Sequence, residues 1–328
     1  MSRGLRAILM LLRDRHVRRF MADRPIVPLL VLLVLLVGVL ELRNPGILNE
    51  RWIANTVKFA IPLAILAACQ TMTMLTGGID LSAGTVATMA AFIVATQAPI
   101  YDPATAVLIS LIPAVCIGVA NGVGIGVFRV HPLIMTLGTS LIGTGILQVY
   151  QRTVIATGSE VPEVLAWLGT GRTYGFPNAL VLFVPLAAFV IFTLRRTGFG
   201  RLLYAVGDNE KATRIAGVLY WQVILALYVV SGLLAGVGGL LYVGLIKAPS
   251  LSLAEPLVLP SVAAAVIGGT SIFGGRGGYS GTIVGALILT VLTTLLTVER
   301  MPEASRVILF GLMILAVTAA YIRITEES

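Results

Sequence analysis

The chain has 328 residues, of which 57% are hydrophobic and only 12% charged, with a mean hydropathy of +0.97. Soluble domains carry about 25% charged residues, so the composition excludes an ordinary water-soluble enzyme and demands a lipid environment. The formal net charge of +8 is spread over short stretches flanking apolar runs, which argues against a nucleic-acid-binding patch.

Residues 1–24 form a basic arm holding Arg3, Arg6, Arg13, Arg15, Arg18, Arg19 and Arg24. The apolar run Ile26–Leu40 follows, and then Glu41-Leu42-Arg43-Asn44-Pro45 where a secretory signal would show a small-residue cleavage site. This reads as an uncleaved first span behind a cytoplasmic arm, a cleaved signal being the alternative. A hydrocarbon layer about 30 Å thick needs about 20 apolar residues per helical span. Apolar length and breaker residues predict ten spans, at about 25–42, 54–76, 81–98, 104–128, 132–151, 177–194, 221–246, 255–271, 279–297 and 305–322. The third and eighth are short and rich in small residues, so eight or nine spans stay open. With the N-terminus inside, fifteen Lys and Arg face the cytoplasm and eight face outside, and ten spans put both termini in the cytoplasm. The fold class is therefore all-α, a polytopic transmembrane bundle. Residues 25–328 make one membrane domain, with a long outside segment at 152–176 and a basic cytoplasmic loop at 195–220.

Glycines recur every fourth residue at Gly118, Gly122 and Gly126, at Gly232 and Gly236, and at Gly277, Gly281 and Gly285. Such spacing lets helix backbones approach closely, and ordinary bundle packing explains it. Two stretches look like interrupted helices: Leu75-Thr76-Gly77-Gly78-Ile79-Asp80-Leu81-Ser82-Ala83-Gly84-Thr85, and Val266-Ile267-Gly268-Gly269-Thr270-Ser271 running on to Arg276. Paired glycine breaks in two halves of a chain point to a transport path; simple turns between spans are the alternative. Asp80 is either a functional intramembrane carboxylate or a cap for the helix that starts near Ser82.

No enzyme constellation is present. His16 and His131 lack partners at metal-ligand spacing, no lysine follows a glycine as a phosphate loop requires, and Cys69 and Cys116 lie in apolar runs. No metal or cofactor is expected. Mid-span ionisable residues of the kind a proton- or sodium-coupled carrier uses are also missing, leaving an external energy source or a passive channel. The cytoplasmic loop carries a short helix at about 208–217. Asp208 or Asn209 caps it, Glu210 sits in its first turn and Arg214 near its other end, and Gly217 ends it in the left-handed region. Ala212, Ile215 and Ala216 share one face. So short a helix is marginal in water, so it docks on something, its own chain's surface being the plain alternative.

Leu203 to Gly217, containing Gly207-Asp208-Asn209-Glu210, resembles the coupling loop of ribose-, xylose- and arabinose-type ATP-binding-cassette importer permeases. The Thr76–Gly84 and Val266–Gly277 stretches and Gly118-Val119-Ala120-Asn121-Gly122 resemble three further motifs of that family, in its order, from about residue 50 onward. The resemblance implies a multi-pass bacterial inner-membrane permease subunit that moves a monosaccharide without covalent chemistry. Its implied partners are a cytoplasmic ATPase, a periplasmic sugar-binding protein and a second permease subunit, alike or unlike. It marks Gly207, Asp208, Asn209, Glu210, Ala212, Arg214 and Gly217 as the coupling loop. Gly77, Gly78, Asp80, Ser82, Asn121, Gly268, Gly269 and Thr270 are candidates for the translocation path. One departure is Pro260, standing where the family often has an acidic residue, with Glu255 five positions earlier. A branched-chain amino-acid or nucleoside permease is the nearest alternative, and a passive channel or structural membrane protein the one from another class.

Overall fold

The computed structural model describes residues 26–154, 158–312 and 315. The predicted basic arm and the end of the predicted tenth span lie outside these residues; a helix at 303–312 covers the start of that span. Twelve α-helices precede it in chain order: α1 (Ile26–Arg43), α2 (Glu50–Met74), α3 (Ala83–Gln97), α4 (Pro103–Gly126), α5 (Pro132–Val154), α6 (Glu163–Thr170), α7 (Ala179–Arg196), α8 (Gly198–Asp208), α9 (Glu210–Ile215), α10 (Tyr220–Ile246), α11 (Val258–Ile267) and α12 (Tyr279–Val298). A two-stranded antiparallel pair, Arg172–Thr173 with Phe176–Pro177, is the one departure from helix among the described regular elements.

Seven of the helices are long and apolar enough to cross a membrane: α1, α2, α4, α5, α7, α10 and α12. Two of the other expected spans fall on shorter helices. At 15 residues, α3 is too short, and Glu255–Ile267 is a 3₁₀ turn running into the 10-residue α11. Both are nonetheless buried: every residue of α3 from Ala83 to Thr96 is inside the protein, as are Ser261 to Val266 of α11. They are half-helices enclosed by full-length ones.

The core is built on two helices. α10 packs against α2, α3, α4 and α6, and α2 also meets α7, α11 and α12. Peripheral helices expose apolar side chains: α1 buries only Leu40, and Leu141 of α5 and Phe189 of α7 are largely exposed. Without a hydrophobic drive between helices in lipid, close backbone packing must hold the bundle. The glycine stripes supply it. A Cβ on Gly232 would lie 2.3 Å from the Ala114 carbonyl oxygen, one on Gly118 2.6 Å from that of Tyr228, and one on Gly239 2.0 Å from that of Ala87. Thus α10 lies backbone to backbone on α4 and α3, and the stripes read from the sequence are packing faces.

Helix ends sort into two ends of the bundle. Near one end the loop 127–131, α8, α9 and the loop 268–278 gather. Toward the other lie the starts of α2 and α4, the end of α12, and α6 with the strand pair. There Arg172 donates to the Arg51 carbonyl at 3.0 Å and to Asn55 Oδ1 at 2.8 Å, and the Lys58 ammonium donates to the Thr170 carbonyl.

Overpacking a filled contact costs about 1–3 kcal/mol. Gly232→Ala is therefore expected to lower the thermal unfolding midpoint in detergent, whereas Gly145→Ala, whose new methyl group would meet nothing within 4 Å, is expected to leave it unchanged.

Candidate functional site

Between α2 and α3 the chain stops being helical over residues 75–82 yet turns back into the bundle. Backbone groups freed from helical bonding inside a membrane must find partners within the protein. Gln70, one turn before the end of α2, provides two: its Nε2 donates to the Asp80 carbonyl at 2.8 Å, and its Oε1 accepts from the Asp80 amide at 3.1 Å. Thr136 of α5 accepts from the Leu81 amide at 3.1 Å and shares its one proton between the Pro132 carbonyl at 2.9 Å and the Ile79 carbonyl at 3.2 Å. Gly77 turns the chain with a φ of 77°. Gly78 lies so close to α10 and α5 that a Cβ there would be 2.9 Å from the Tyr228 hydroxyl and 3.2 Å from Pro132.

The Asp80 carboxylate is the hub of a buried polar cluster. Oδ1 accepts from the Ser82 amide at 3.0 Å and the Ser82 hydroxyl at 2.6 Å. Oδ2 accepts from Ser231 Oγ of α10 at 2.7 Å. Asn121 of α4 donates to Ser82 Oγ at 2.9 Å and accepts from Thr139 of α5 at 2.7 Å. All six side chains, Gln70 included, are buried. The two expected roles of Asp80 therefore share one geometry: it holds a backbone N–H at the threshold of α3, as a cap does, and reaches across to α10. Ser82 occupies the position before α3 but bonds no helix amide itself.

The second glycine stretch joins the first at its near end. The Gly275 amide donates to the Leu75 carbonyl at 3.0 Å, and Gly77 lies beside the Phe273 backbone, 3.6 Å from its carbonyl oxygen to an added Cβ. Gly268 is pressed on Gly281 and Thr282 of α12. Gly269 has a φ of 90° and open space around it, and Thr270 is buried with no partner for its hydroxyl. Gly268, Gly269 and Thr270 thus belong to the α11–α12 turn and do not touch the Asp80 cluster.

Both stretches abut the cytoplasmic loop. A Cβ on Gly207, in the last turn of α8, would overlap the Leu75 carbonyl oxygen at 1.7 Å and crowd the Gly275 amide at 2.6 Å. Asp208 is the last residue of α8 and packs against Gly275. The cap of the short helix is accordingly Asn209, whose Oδ1 accepts from the Ala212 amide at 2.9 Å, and the Asp208 alternative falls. Glu210 pairs with Arg129 of the α4–α5 turn at 2.5 Å and with Arg214 at 3.9 Å. Arg129 has a left-handed φ of 60° and lays its guanidinium over the Tyr220 ring at 3.9 Å. Thr213 anchors α9 to α8 by donating to the Ala205 carbonyl at 2.9 Å. Gly217 takes the expected positive φ, 88°. The face of Ala212, Ile215 and Ala216 is left in the open, with Ile215 88% exposed.

Gln70, Thr136, Thr139, Ser231 and Arg129 were missed from the sequence. An uncharged polar residue within an apolar run was the available signal for the first four.

The family described as branched-chain amino acid transport system / permease component matches residues 52–317. The ribose import permease protein RbsC of Haemophilus influenzae is 30% identical over 88% of this chain and 91% of its own length. RbsC of Bacillus subtilis is 32% identical over 86% and 88%. The fructose import permease protein FrcC of Rhizobium meliloti is 30% identical over 89% and 84%. No solved structure gives a significant match.

Removing the Asp80 carboxylate would strand the Ser82 amide and the Ser231 hydroxyl, at about 1–3 kcal/mol for each buried orphan. Asp80→Leu is expected to lower the thermal midpoint of the detergent-purified chain sharply. Asp80→Asn, which keeps an acceptor for Ser82, is expected to stay within about 1 kcal/mol of the parent, by the net worth of a single hydrogen bond.

Proposed function

Because the chain belongs to the branched-chain amino acid transport system / permease component family, we propose that it is the permease subunit of an ATP-driven importer of a monosaccharide. Ribose and fructose in the names of relatives that cover most of the chain favour a sugar over an amino acid. The partners in this reading are a cytoplasmic ATPase, an external sugar-binding protein and a second permease subunit in the bacterial inner membrane. The passive-channel alternative loses ground because the relatives carry the words import permease.

The observation that carries the reading is α9. Asn209 caps it, Glu210 and Thr213 tie it to the bundle, and yet its apolar face is exposed. An exposed Ile215 on an anchored six-residue helix suits a docking element for the ATPase. Residues Gly207, Asp208, Asn209, Glu210, Ala212, Arg214 and Gly217 make up this element in the proposal. Through Gly207 it bears directly on Leu75 and Gly275. A shift of α8 and α9 would therefore reach both glycine stretches, with Gly77, Gly78, Gly268, Gly269 and Thr270 as the parts free to rearrange. Asp80, Ser82 and Asn121 would be the fixed point against which they move.

The end bearing α8 and α9 is cytoplasmic in this reading, supported by fifteen basic residues against eight. The chain then crosses ten times. Residues 75–82 with α3 make one crossing and 255–278 make another, each half-helix completed by its non-helical neighbour. The helix at 303–312 begins the tenth.

Single cysteines at Glu163 and Asp208, with Cys69 and Cys116 replaced, test the sidedness. A membrane-impermeant thiol reagent is expected to label position 163 and spare 208 in intact spheroplasts, and the reverse pattern inverts the topology. Ile215→Asp and Gly217→Val test the docking. The first puts charge on the exposed face; the second forces a β-branched residue into a strained backbone region. Both are expected to leave permease abundance near the parent level while cutting ATPase co-purification and sugar uptake at least about tenfold, a loss of about 1.4 kcal/mol in coupling. Normal uptake in both variants would refute the docking role.

A further inference from the structure

At the end opposite α8 and α9, the strand pair between α6 and α7 presents a side chain that its own protein does not use. Thr173 pairs with Phe176, which leaves Tyr174 and Gly175 as a two-residue hairpin turn. Both have positive φ, 51° and 83°, the mark of a type I′ turn, whose first position favours asparagine, aspartate or glycine. A bulky aromatic residue is an outlier in that backbone region. The Tyr174 ring gains nothing from its own chain in return, being 96% exposed, and Phe176 is 70% exposed.

The hairpin is nevertheless fixed in place. Asn178, itself buried, accepts from Thr173 Oγ1 at 2.8 Å and donates to the Trp167 carbonyl at 3.2 Å. Along α2 the segment climbs toward the helix start. Thr170 accepts from Lys58, and Arg172 donates to Asn55 and to the Arg51 carbonyl. Gly175 abuts Glu50, with 2.6 Å from Oε1 to an added Cβ. At 1.5 Å per residue, Lys58 to Glu50 is about 12 Å of helix. The turn therefore sits level with the charged first turn of α2, beyond the apolar run expected from residue 54, and offers its rings to water and not to lipid chains.

Charge narrows what can cover them. The hairpin and the α2 residues it bonds or abuts carry three basic groups, Arg51, Lys58 and Arg172, against one carboxylate, Glu50. Arg51 and Arg172 are exposed and form no ion pair among the described residues. Exposed aromatic residues flanked by arginine are the composition of binding hot spots in protein interfaces, and a positive surround is complemented by carboxylates on the partner.

From this we infer that the hairpin is the docking point for the importer's external sugar-binding protein. Tyr174 and Phe176 enter an apolar pocket of that protein, and Arg51 and Arg172 face its carboxylates; the inference rests on the importer reading and its sidedness. The test measures binding of the importer's purified sugar-binding protein to the permease–ATPase complex in lipid nanodiscs, alongside thermal unfolding. Tyr174→Asn supplies a residue the turn favours, and Phe176→Thr keeps a strand former. Both are expected to hold the thermal midpoint at or above that of the parent while weakening binding at least about tenfold, as loss of a hot-spot side chain does. Association with the parent is expected to slow as salt is raised. Parent-level affinity in either variant overturns the docking role. In cells, a photo-crosslinking phenylalanine analogue at position 174 is expected to capture the sugar-binding protein, identified by mass spectrometry. Capture of a second copy of this chain, or of lipid, overturns it instead. Failure of the importer reading is visible separately, in a parent complex that binds no sugar-binding protein and cells that import no sugar.

Discussion

A membrane leaves no water for a backbone that has stopped being helical, and that constraint governs this molecule. Residues 75–82 leave the helical ladder inside the bundle, and their polar groups are met one by one: the Asp80 amide and carbonyl by Gln70, the Leu81 amide and Ile79 carbonyl by Thr136, the Ser82 amide by Asp80. An unmet group in hydrocarbon costs several kcal/mol, so none of these side chains is replaceable by an apolar one of the same size. The partners sit on α2, α5 and α10, and the cluster continues to α4 through Asn121. The break thus cross-links four helices. It explains why α3 can be short: the chain enters already held and needs only 15 helical residues to proceed.

The same requirement shapes the junction with α8. The Leu75 carbonyl ends α2 without a helical partner and accepts from Gly275, in the other broken stretch. Gly207 must lack a side chain to reach that pair. Three segments far apart in sequence therefore meet through main-chain atoms, and the Tyr204 hydroxyl adds a bond from α8 to the Gly277 carbonyl at 2.9 Å. The Glu210–Arg129 pair, half-exposed on both sides, contributes little to stability, since surface pairs are worth about 0–1 kcal/mol. Its role is directional: with Arg129 stacked on Tyr220, it fixes α9 relative to the start of α10 and the α4–α5 turn.

Much of this was legible in the sequence where a single residue type has one physical use. Asparagine before an acidic first turn and glycine after it marked α9 to within a few residues, and Gly-xxx-Gly spacing marked the faces of α4 and α10. Hydropathy marks 81–98 and 255–271 as spans but carries no sign that each is a short buried helix with a non-helical neighbour. The Asp80 partners were hidden for a related reason: Gln70, Ser231 and Thr139 are distant in sequence, and an isolated polar residue in an apolar run carries no sign of what it faces. Arg129 looked like a flanking positive charge and is instead the partner of Glu210.

Satisfaction of buried polar atoms separates the regions that hold from those that work. Every polar side chain in the Asp80 cluster has its partners. The buried polar atoms without partners among the described residues lie elsewhere: Trp52 Nε1 near the start of α2, Arg306 Nε in the helix at 303–312, the Tyr228 hydroxyl beside Gly78, and the Thr270 hydroxyl beside Gly277. Two of these four flank the glycine stretches that lean on α8. A stable fold tolerates few such orphans, and these two sit at the non-helical stretches that join α2 to α3 and α11 to α12. The Asp80 cluster, by contrast, has each of its carboxylate oxygens paired.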